Sequence, residues 1–156
     1  DTLFADMHSA YEDLPAEMKV KLDGHMATHD RNWRYSELYP GRAPLTEEQI
    51  AKVPPVEQPA IFTHPESKRQ ALFVNETMVS KIDGMEDADA QALATEVENF
   101  ATQKKYVYRH KWQKGDLVVW DNRATMHKAT SFDDTKYDRL MYRTQVLGSK
   151  PVFLPS

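Results

Sequence analysis

The chain has 156 residues, 40% hydrophobic and 28% charged, which suits one globular domain with a core and excludes a disordered or fibrous chain. The formal net charge is -4 and the basic residues are scattered, so no nucleic-acid-binding surface is expected. The absence of cysteine excludes disulfides and thiolate ligands. No apolar run reaches about eighteen residues and no signal peptide is visible, which predicts a soluble protein without membrane contact and, by default, a cytoplasmic one.

The beginning of the chain predicts a strand followed directly by two helices. Thr2–Ala5 is β-prone, and the apolar residues of 7–14 recur at helical spacing. Pro15 suits the first turn of a second helix, which Gly24 would end in a left-handed conformation. Asp1 stands where the inside of a strand is expected, so we expect a chain that is processed or lacks its beginning.

Residues 31–59 have a different character from their surroundings. They contain five of the nine prolines of the chain among polar and aromatic residues, which is typical of a long structured loop. Within them, Thr46 to Gln49 fits a capping box and predicts a short helix. We interpret the segment as a lid-like insertion over a binding site. Loose surface decoration is the alternative.

The rest of the chain is predicted to be rich in strands. The wholly apolar run Leu117–Trp120 indicates a strand buried on both faces. The pattern also predicts a hairpin of residues 60–64 and 70–75, a helix over 88–102, and strands over 106–112, 124–129 and 139–147. These elements favour a mainly β fold with helical insertions, either a β-barrel or a jelly roll.

His127 is the first candidate site residue. On a strand it shares a face with Thr125 and Ala129, whose small side chains leave room for a metal or ligand beside the imidazole. A structural histidine in a core is the alternative at this point.

Arg139 and Arg143 are the second candidates. Residues four apart on a strand share a face at a distance of about 13 Å. Facing solvent, the two would be ordinary surface charges. Facing the interior, each guanidinium would require an anion. Together with a nearby histidine, they would then predict two small anions beside a metal.

Five stretches of the chain carry a family resemblance. The sequence resembles the C-terminal part of the taurine dioxygenase and phenoxyacetate-herbicide dioxygenase family, which are Fe(II)- and 2-oxoglutarate-dependent oxygenases on a double-stranded β-helix. The resemblance implies a jelly-roll (cupin-like) fold, incomplete at its N-terminus, in which residues 1–156 are the C-terminal part of a single oxygenase domain. The stretches that carry it are 1–6, 63–66, 71–75, 110–127 and 139–144.

The resemblance assigns the iron and co-substrate residues. His127 matches the distal iron-binding histidine of the family. Thr2 and Arg139 match the pair that binds the C5 carboxylate of 2-oxoglutarate. Trp120, which we group with the cofactor-binding residues, matches a tryptophan close to the iron.

Two further matches concern the substrate. Arg143 matches the arginine that grips the anionic head of the substrate in sulfonate-using members. Tyr35 falls where an aromatic residue lines the substrate pocket, with surface aromatic packing as the alternative.

The departure from the family pattern concerns the iron ligands, two of which residues 1–156 are expected to lack, since the resemblance places them upstream of Asp1. Iron of this type needs two histidines and one carboxylate, and the family supplies two of the three as a His-x-Asp/Glu pair upstream of the residue matched by Thr2. His64 and Glu66 have that form, but Pro65 suits a hairpin turn better than a metal face. His29 and Asp30 are adjacent, so on a strand their side chains point to opposite faces.

The predicted function is hydroxylation of a small anionic substrate, a sulfonate, sulfate ester or carboxylate, with 2-oxoglutarate and O2 converted to succinate and CO2. Fe(II) is the expected cofactor. A non-catalytic 2-oxoglutarate- or anion-binding barrel is one alternative, and a cupin-like hydrolase or isomerase with another metal is the second. The sequence leaves monomer and homo-oligomer open.

Overall fold

The computed structural model of the chain describes residues 1–133 and 135–146. Strands and helices are interspersed along the chain, and a short 3-10 turn lies at Lys104–Tyr106. The elements within the described part are β1 (Thr2–Asp6), α1 (Met7–Glu12), α2 (Ala16–Leu22), β2 (Met26–His29), α3 (Tyr35–Leu38), α4 (Glu47–Ala51), β3 (Val56–Pro59), β4 (Ile61–Thr63), β5 (Gln70–Leu72), β6 (Val79–Ile82), α5 (Asp87–Ala101), β7 (Val107–His110) and β8 (Thr125–Ala129).

The strands form three small antiparallel sheets. In the first, β1 lies between β7 and β8. In the second, β2 lies between β3 and β6, with an irregularity in its pairing to β6 between Thr28 and His29. The third is the hairpin of β4 and β5. The strand-rich character that the sequence predicts is therefore present, and each described sheet is antiparallel.

One continuous core joins the sheets to the helices. Helix α5 buries an apolar stripe that includes Leu93 and Val97. Leu22 of α2, Leu72 of β5 and Ile82 of β6 are each almost wholly buried in the same cluster. Burial of such side chains is the main stabilising contribution to a domain of this size.

The predicted N-terminal strand and two helices are confirmed. Asp6 ends β1 and caps α1, where its carboxylate accepts hydrogen bonds from the amides of His8 and Ser9. Pro15 precedes the first residue of α2. Gly24 has φ +74, the left-handed conformation that ends a helix and that glycine adopts without a Cβ clash.

Several downstream predictions are also confirmed. The hairpin and the strands at 107–110 and 125–129 occur within the predicted ranges, and the long helix begins one residue before its predicted range of 88–102. The turn of residues 113–116 closes with Gly115 at φ +95 and a hydrogen bond from the Asp116 amide to the Gln113 carbonyl. The capping box is complete, since Thr46 accepts from the Gln49 amide and the Gln49 side chain accepts from the Thr46 amide.

The interpretation of residues 31–59 as a loop needs correction at its end. Residues 56–59 form β3, which pairs with β2 in a sheet. The prolines at 54, 55 and 59 obscured it, although β3 is an edge strand of its sheet, where proline is tolerated. The sequence also missed β2 and β6.

The predicted buried strand Leu117–Trp120 is wrong for this structure. The segment pairs with no strand among the described residues, and Leu117 and Val119 are 88% and 86% exposed. Val118 and Trp120 are half-buried. Exposed and half-buried side chains alternate as they would on a strand, but the side formed by Leu117 and Val119 faces solvent.

The predicted strand over 139–147 is wrong as well. Residues 139–146 carry no strand and are exposed, because no neighbouring strand supplies the ladder that a β-prone segment needs. Residue 147 lies outside the described residues. Arg139 and Arg143 are therefore not held on one face of a strand here. No helix within 1–133 and 135–146 has the length and hydropathy needed to cross a membrane.

Candidate functional site

The pairing of β1 with β8 places the candidate residues beside one another. In this antiparallel register Phe4 lies opposite His127, and Thr2 lies opposite Ala129. Residues two apart on a strand share a face, so Thr2, Phe4 and His127 lie on the same face of the sheet. Residues separated by about 125 positions in the chain thus become neighbours.

Phe4, Trp120 and His127 form an aromatic cluster on this face. The ring of Trp120 lies 5.2 Å from that of Phe4 and 5.2 Å from that of His127, and the Phe4 and His127 rings are 6.2 Å apart and stacked. These distances are typical of favourable aromatic pairs. The indole Nε1 of Trp120 donates to Oδ1 of Asn122 at 2.8 Å. The cluster fixes the orientation of the imidazole.

His127 itself is exposed on β8, and within the described chain neither of its ring nitrogens makes a hydrogen bond. Partial burial of the ring lowers the pKa of His127, and the positive charge of Arg143 lowers it further. Both effects favour the neutral imidazole, which is the form that binds a metal. The two nitrogens are available to a ligand.

Thr2 is buried, with 6% of its surface exposed. Its Oγ1 accepts a hydrogen bond of 2.9 Å from the indole Nε1 of Trp112. A hydroxyl has one donor and two acceptor positions, so this contact leaves the Thr2 proton free to donate to another group. Trp112 fixes the hydroxyl oxygen and leaves its donor available.

The two arginines are placed differently. Arg143 is exposed, donates to Gln145 at 3.3 Å, and is close enough for its charge to act on His127. Arg139 is exposed, with its Nε 2.9 Å from the sulfur of Met141 and its guanidinium 5.9 Å from the Phe132 ring. No contact in the described chain brings Arg139 to Thr2.

Tyr35 lies apart from the cluster. It begins α3 and packs against Tyr39 at 5.1 Å. It also lines an open cavity of about 190 Å³ together with Arg31, Asn32, Leu45, Gln49 and Val53. Among the described residues, no contact joins this cavity to His127.

His64 and His29, which the sequence pattern disfavours as iron ligands, belong to no metal-binding group of the described residues. The Nε2 of His64 lies 3.0 Å from Oδ2 of Asp121, and its Nδ1 accepts from the Ser67 amide at 3.1 Å. His29 is mostly buried, and burial lowers its pKa. Within residues 1–133 and 135–146, no three His, Asp or Glu side chains are grouped so that they could hold a metal ion.

Sequence reasoning missed Phe4, Trp112 and the contacts of Asp121. A signal existed for Trp112, because the alternation from Val107 onwards places it on the face of His110, which lies opposite Thr2. No local pattern shows that Phe4 meets His127, since that contact depends on register.

Comparison with known proteins identifies the class. Residues 1–145 match the family described as "Taurine catabolism dioxygenase TauD, TfdA family". The match covers most of the chain, and the chain belongs to this family. The resemblance predicted from the sequence is confirmed at the level of the family.

Individual relatives come from bacteria. The chain is 40% identical over 150 residues to alpha-ketoglutarate-dependent 2,4-dichlorophenoxyacetate dioxygenase of Burkholderia sp. (strain RASC), covering 96% of this chain and 49% of that protein. It is 32% identical over 157 residues to alpha-ketoglutarate-dependent sulfate ester dioxygenase of Pseudomonas putida, covering 97% of this chain and 52% of that protein.

A solved structure is similar as well. The crystal structure of AAD-2 in complex with Mn(II) and N-oxalylglycine superposes with a TM-score of 0.75 and 35% identity, covering 86% of this chain and 52% of that one. The chain spans about half the length of the curated relatives it matches. Its assignment to the C-terminal part of such a domain stays a prediction.

Proposed function

We propose that the protein is an Fe(II)- and 2-oxoglutarate-dependent dioxygenase that hydroxylates a small anionic organic substrate, a sulfonate, sulfate ester or carboxylate. In this proposal, residues 1–156 are the C-terminal part of a single oxygenase domain. The described antiparallel sheets belong to a double-stranded β-helix. Family membership and the names of the relatives support the reaction class.

One observation carries the proposal. Thr2 and His127, which the resemblance assigns to the co-substrate and the iron, lie on the same face of adjacent strands. The Thr2 hydroxyl and the His127 nitrogens, which make no hydrogen bond within the described chain, therefore lie on one face of the sheet, two residues apart along the ladder. The half-buried Trp120 covers the same face, its ring 5.2 Å from that of His127.

The residues present fit part of an iron centre. His127 supplies one exposed, neutral imidazole with no competing hydrogen bond in the described chain, where a complete centre needs two histidines and one carboxylate. When bound, iron with 2-oxoglutarate supplies the O2-dependent oxidation, with succinate and CO2 as by-products. The contribution of the chain is to bind and orient.

The co-substrate is held at its distal carboxylate. In this proposal the Thr2 hydroxyl donates to that carboxylate, while the Trp112 indole fixes the hydroxyl oxygen from the other side. Arg139 pairs with the same carboxylate, as the resemblance implies. A charge-assisted bond of this kind is stronger than a neutral one and sets the orientation of the ligand.

The substrate is held by its charge. Arg143 acts electrostatically on His127, so an anion bound by Arg143 lies near the metal position. This supports a role for Arg143 in orienting the substrate. The lid-like segment 31–59, with Tyr35 lining its cavity, is proposed to cover the substrate.

The experiment is a turnover assay of the purified full-length protein with Fe(II), labelled 2-oxoglutarate and a panel of anionic substrates. We expect CO2 release only when Fe(II) and a substrate are both present. Arg139→Ala should raise the 2-oxoglutarate requirement by about one to two orders of magnitude, in line with the loss of a charged hydrogen bond of roughly 1.5–3 kcal/mol. Arg143→Ala should weaken substrate binding and leave 2-oxoglutarate binding nearly intact. Equal damage by both variants would contradict the separation of roles.

A second candidate function rests on one observation. The described residues contain no three-ligand metal group, which favours a non-catalytic binder of 2-oxoglutarate or another anion. Calorimetry distinguishes the two. Binding of 2-oxoglutarate that needs no metal and leads to no turnover supports the binder, and binding that requires Fe(II) or Mn(II) supports the enzyme. The cytoplasmic location and a homo-oligomeric state stay predictions.

A further inference from the structure

A buried histidine outside the proposed site is tied to it by hydrogen bonds. His64 follows β4 and is 8% exposed. The Ser67 amide donates to its Nδ1 at 3.1 Å, so that nitrogen carries no proton and Nε2 does. Nε2 donates to Oδ2 of Asp121 at 3.0 Å. The two residues are 57 positions apart in the chain.

A second buried histidine supports the first. His8, in the first turn of α1, is 7% exposed and lies edge-on to the ring of His64 with 5.6 Å between ring centres. Its Nδ1 lies 2.8 Å from the carbonyl oxygen of Gln70, and because that oxygen only accepts, Nδ1 is the donor. The ring of His64 is therefore fixed by neighbours on two sides.

Asp121 is the partner of His64 and is itself strongly held. Arg123 donates to both carboxylate oxygens of Asp121, at 2.6 and 2.9 Å, and also pairs with Glu66 at 3.0 Å. The Arg123 guanidinium first, and the His64 bond after it, hold the pKa of Asp121 well below its usual range. The Asp121 carboxylate is thus ionised. It is joined to the turn of the β4–β5 hairpin directly by His64 and, through Arg123, by Glu66.

The backbone of Asp121 sets the geometry of the aromatic cluster. Asp121 follows Trp120 directly, and its carbonyl accepts the Thr125 hydroxyl at 2.6 Å at the start of β8. Trp120 donates to Asn122 in the same turn and contacts His127. A displacement of Asp121 would move the Trp120 indole relative to the imidazole of His127.

We propose that His64 is a positioning residue for the Trp120–His127 pair and acts through its hydrogen bond to Asp121. Among the described residues, no ring contact joins His64 to Trp120 or His127, so its effect passes through the turn of residues 121–124. The importance of this pair for catalysis rests on the proposed function. The position of the Trp120 ring, however, is tested without metal or co-substrate.

The test uses nuclear magnetic resonance of the tryptophan indole N–H groups. The chain has three tryptophans, and substitution of each by phenylalanine assigns its signal. The variants are His64→Leu, which removes the bond, and His64→Gln, whose amide can donate from the position of Nε2. The matched control is His110→Leu, which removes a bond of the same type and length, 3.0 Å to Asp116, at a turn that does not adjoin Trp120.

We expect His64→Leu to shift the Trp120 signal more than the Trp33 signal, and His64→Gln to return it toward the wild-type position. His110→Leu should leave the Trp120 signal unchanged. An unmoved Trp120 signal in a folded His64→Leu variant would overturn the proposal, as would an equal shift in the control.

Two arrangements keep the test decisive. If His64→Leu does not fold, Asp121→Ala removes the acceptor of the same hydrogen bond, and an unmoved Trp120 signal in that variant overturns the proposal. The dioxygenase proposal is judged separately, by CO2 release from the wild-type protein. A catalytically active protein with an unmoved signal in His64→Leu refutes the positioning role alone.

Discussion

Thr2→Val is the substitution that tests the candidate site most directly. Valine has nearly the shape of threonine, so the buried site keeps its packing and loses only the hydroxyl. Two contacts are lost: the observed 2.9 Å bond from the Trp112 indole and the proposed bond to 2-oxoglutarate.

The two losses have different magnitudes. A buried donor left without its acceptor costs about 1–3 kcal/mol. Trp112 is only half-buried, so water can replace part of the bond, and we expect a loss of about 1 kcal/mol in the free energy of unfolding. The bond to a charged carboxylate is worth roughly 1.5–3 kcal/mol, so the Kd for 2-oxoglutarate should rise by about ten- to a hundredfold.

The assay separates the contributions with three variants. Urea unfolding followed by circular dichroism gives the stability of Thr2→Val, Trp112→Phe and the double variant, and their coupling energy isolates the Thr2–Trp112 bond. Calorimetry with Mn(II) as the metal gives the Kd for 2-oxoglutarate. Thr2→Ser, which keeps the hydroxyl, is the control and should bind nearly as the wild type does.

The refuting results are specific. An unchanged Kd in Thr2→Val would mean that the hydroxyl only accepts the indole bond. A rise in Kd for Trp112→Phe as large as that for Thr2→Val would mean that binding responds to the loss of local structure, and not to the hydroxyl donor.

Three further predictions test the fold and its dependence on pH. Leu22→Ala leaves a cavity at a wholly buried position and should lower the free energy of unfolding, measured in urea, by about 2–5 kcal/mol. Val20→Ala, on the same helix but at a position that is 76% exposed, should lower it far less. Similar losses in the two variants would contradict the described core. Thr46→Ala removes the capping box of α4 and should lower the free energy of unfolding by about 0.5–2 kcal/mol. Limited proteolysis should then cut the chain near α4 faster than in the wild type. An unchanged cleavage rate would contradict this prediction. Burial lowers the pKa of His29 in the folded protein below its ordinary value of 6.5. Between the folded pKa and 6.5 the unfolded state binds more protons, so the free energy of unfolding rises with pH across that window. His29→Leu should flatten this slope, and an unchanged slope would refute the assignment.

The elements that the sequence predicts correctly are those with local signals. Asp6 ends a strand and caps the next helix, and Gly24 stops α2 with a positive φ. The stripe with Leu93 and Val97 recurs at the helical period over four turns of α5. In each case a few consecutive residues contain both the propensity and the boundary, so no distant contact is needed to identify the element.

The missed strands lack such signals. β2 and β6 have four residues each, which is too short for alternation to be distinguished from chance. The irregularity between Thr28 and His29 breaks the alternation of inward side chains further. Their strand conformation is stabilised by pairing with each other and by the core under Val79 and Ile82, which is tertiary information.

The overpredicted strands show the converse. Leu117–Trp120 and residues 139–146 have strand composition, but a strand needs a neighbour to receive its backbone hydrogen bonds. No such neighbour lies in the described part of the chain, and the exposed Leu117 and Leu140 follow from that. Composition predicts a preference for extended backbone, whereas the ladder depends on a partner.

The candidate site depends on register more than on any element. A shift of one residue between β1 and β8 would turn His127 to the other face of the sheet and separate it from Phe4. The observed register is fixed at both ends of the ladder. The Thr130 amide donates to the Asp1 carbonyl at 3.0 Å at one end, and the Met7 amide donates to the Ala124 carbonyl at 3.0 Å at the other. Because the second contact lies in the turn that His64 holds through Asp121, the hydrogen bonds of that turn and the β1–β8 register support the same placement of His127 beside Thr2.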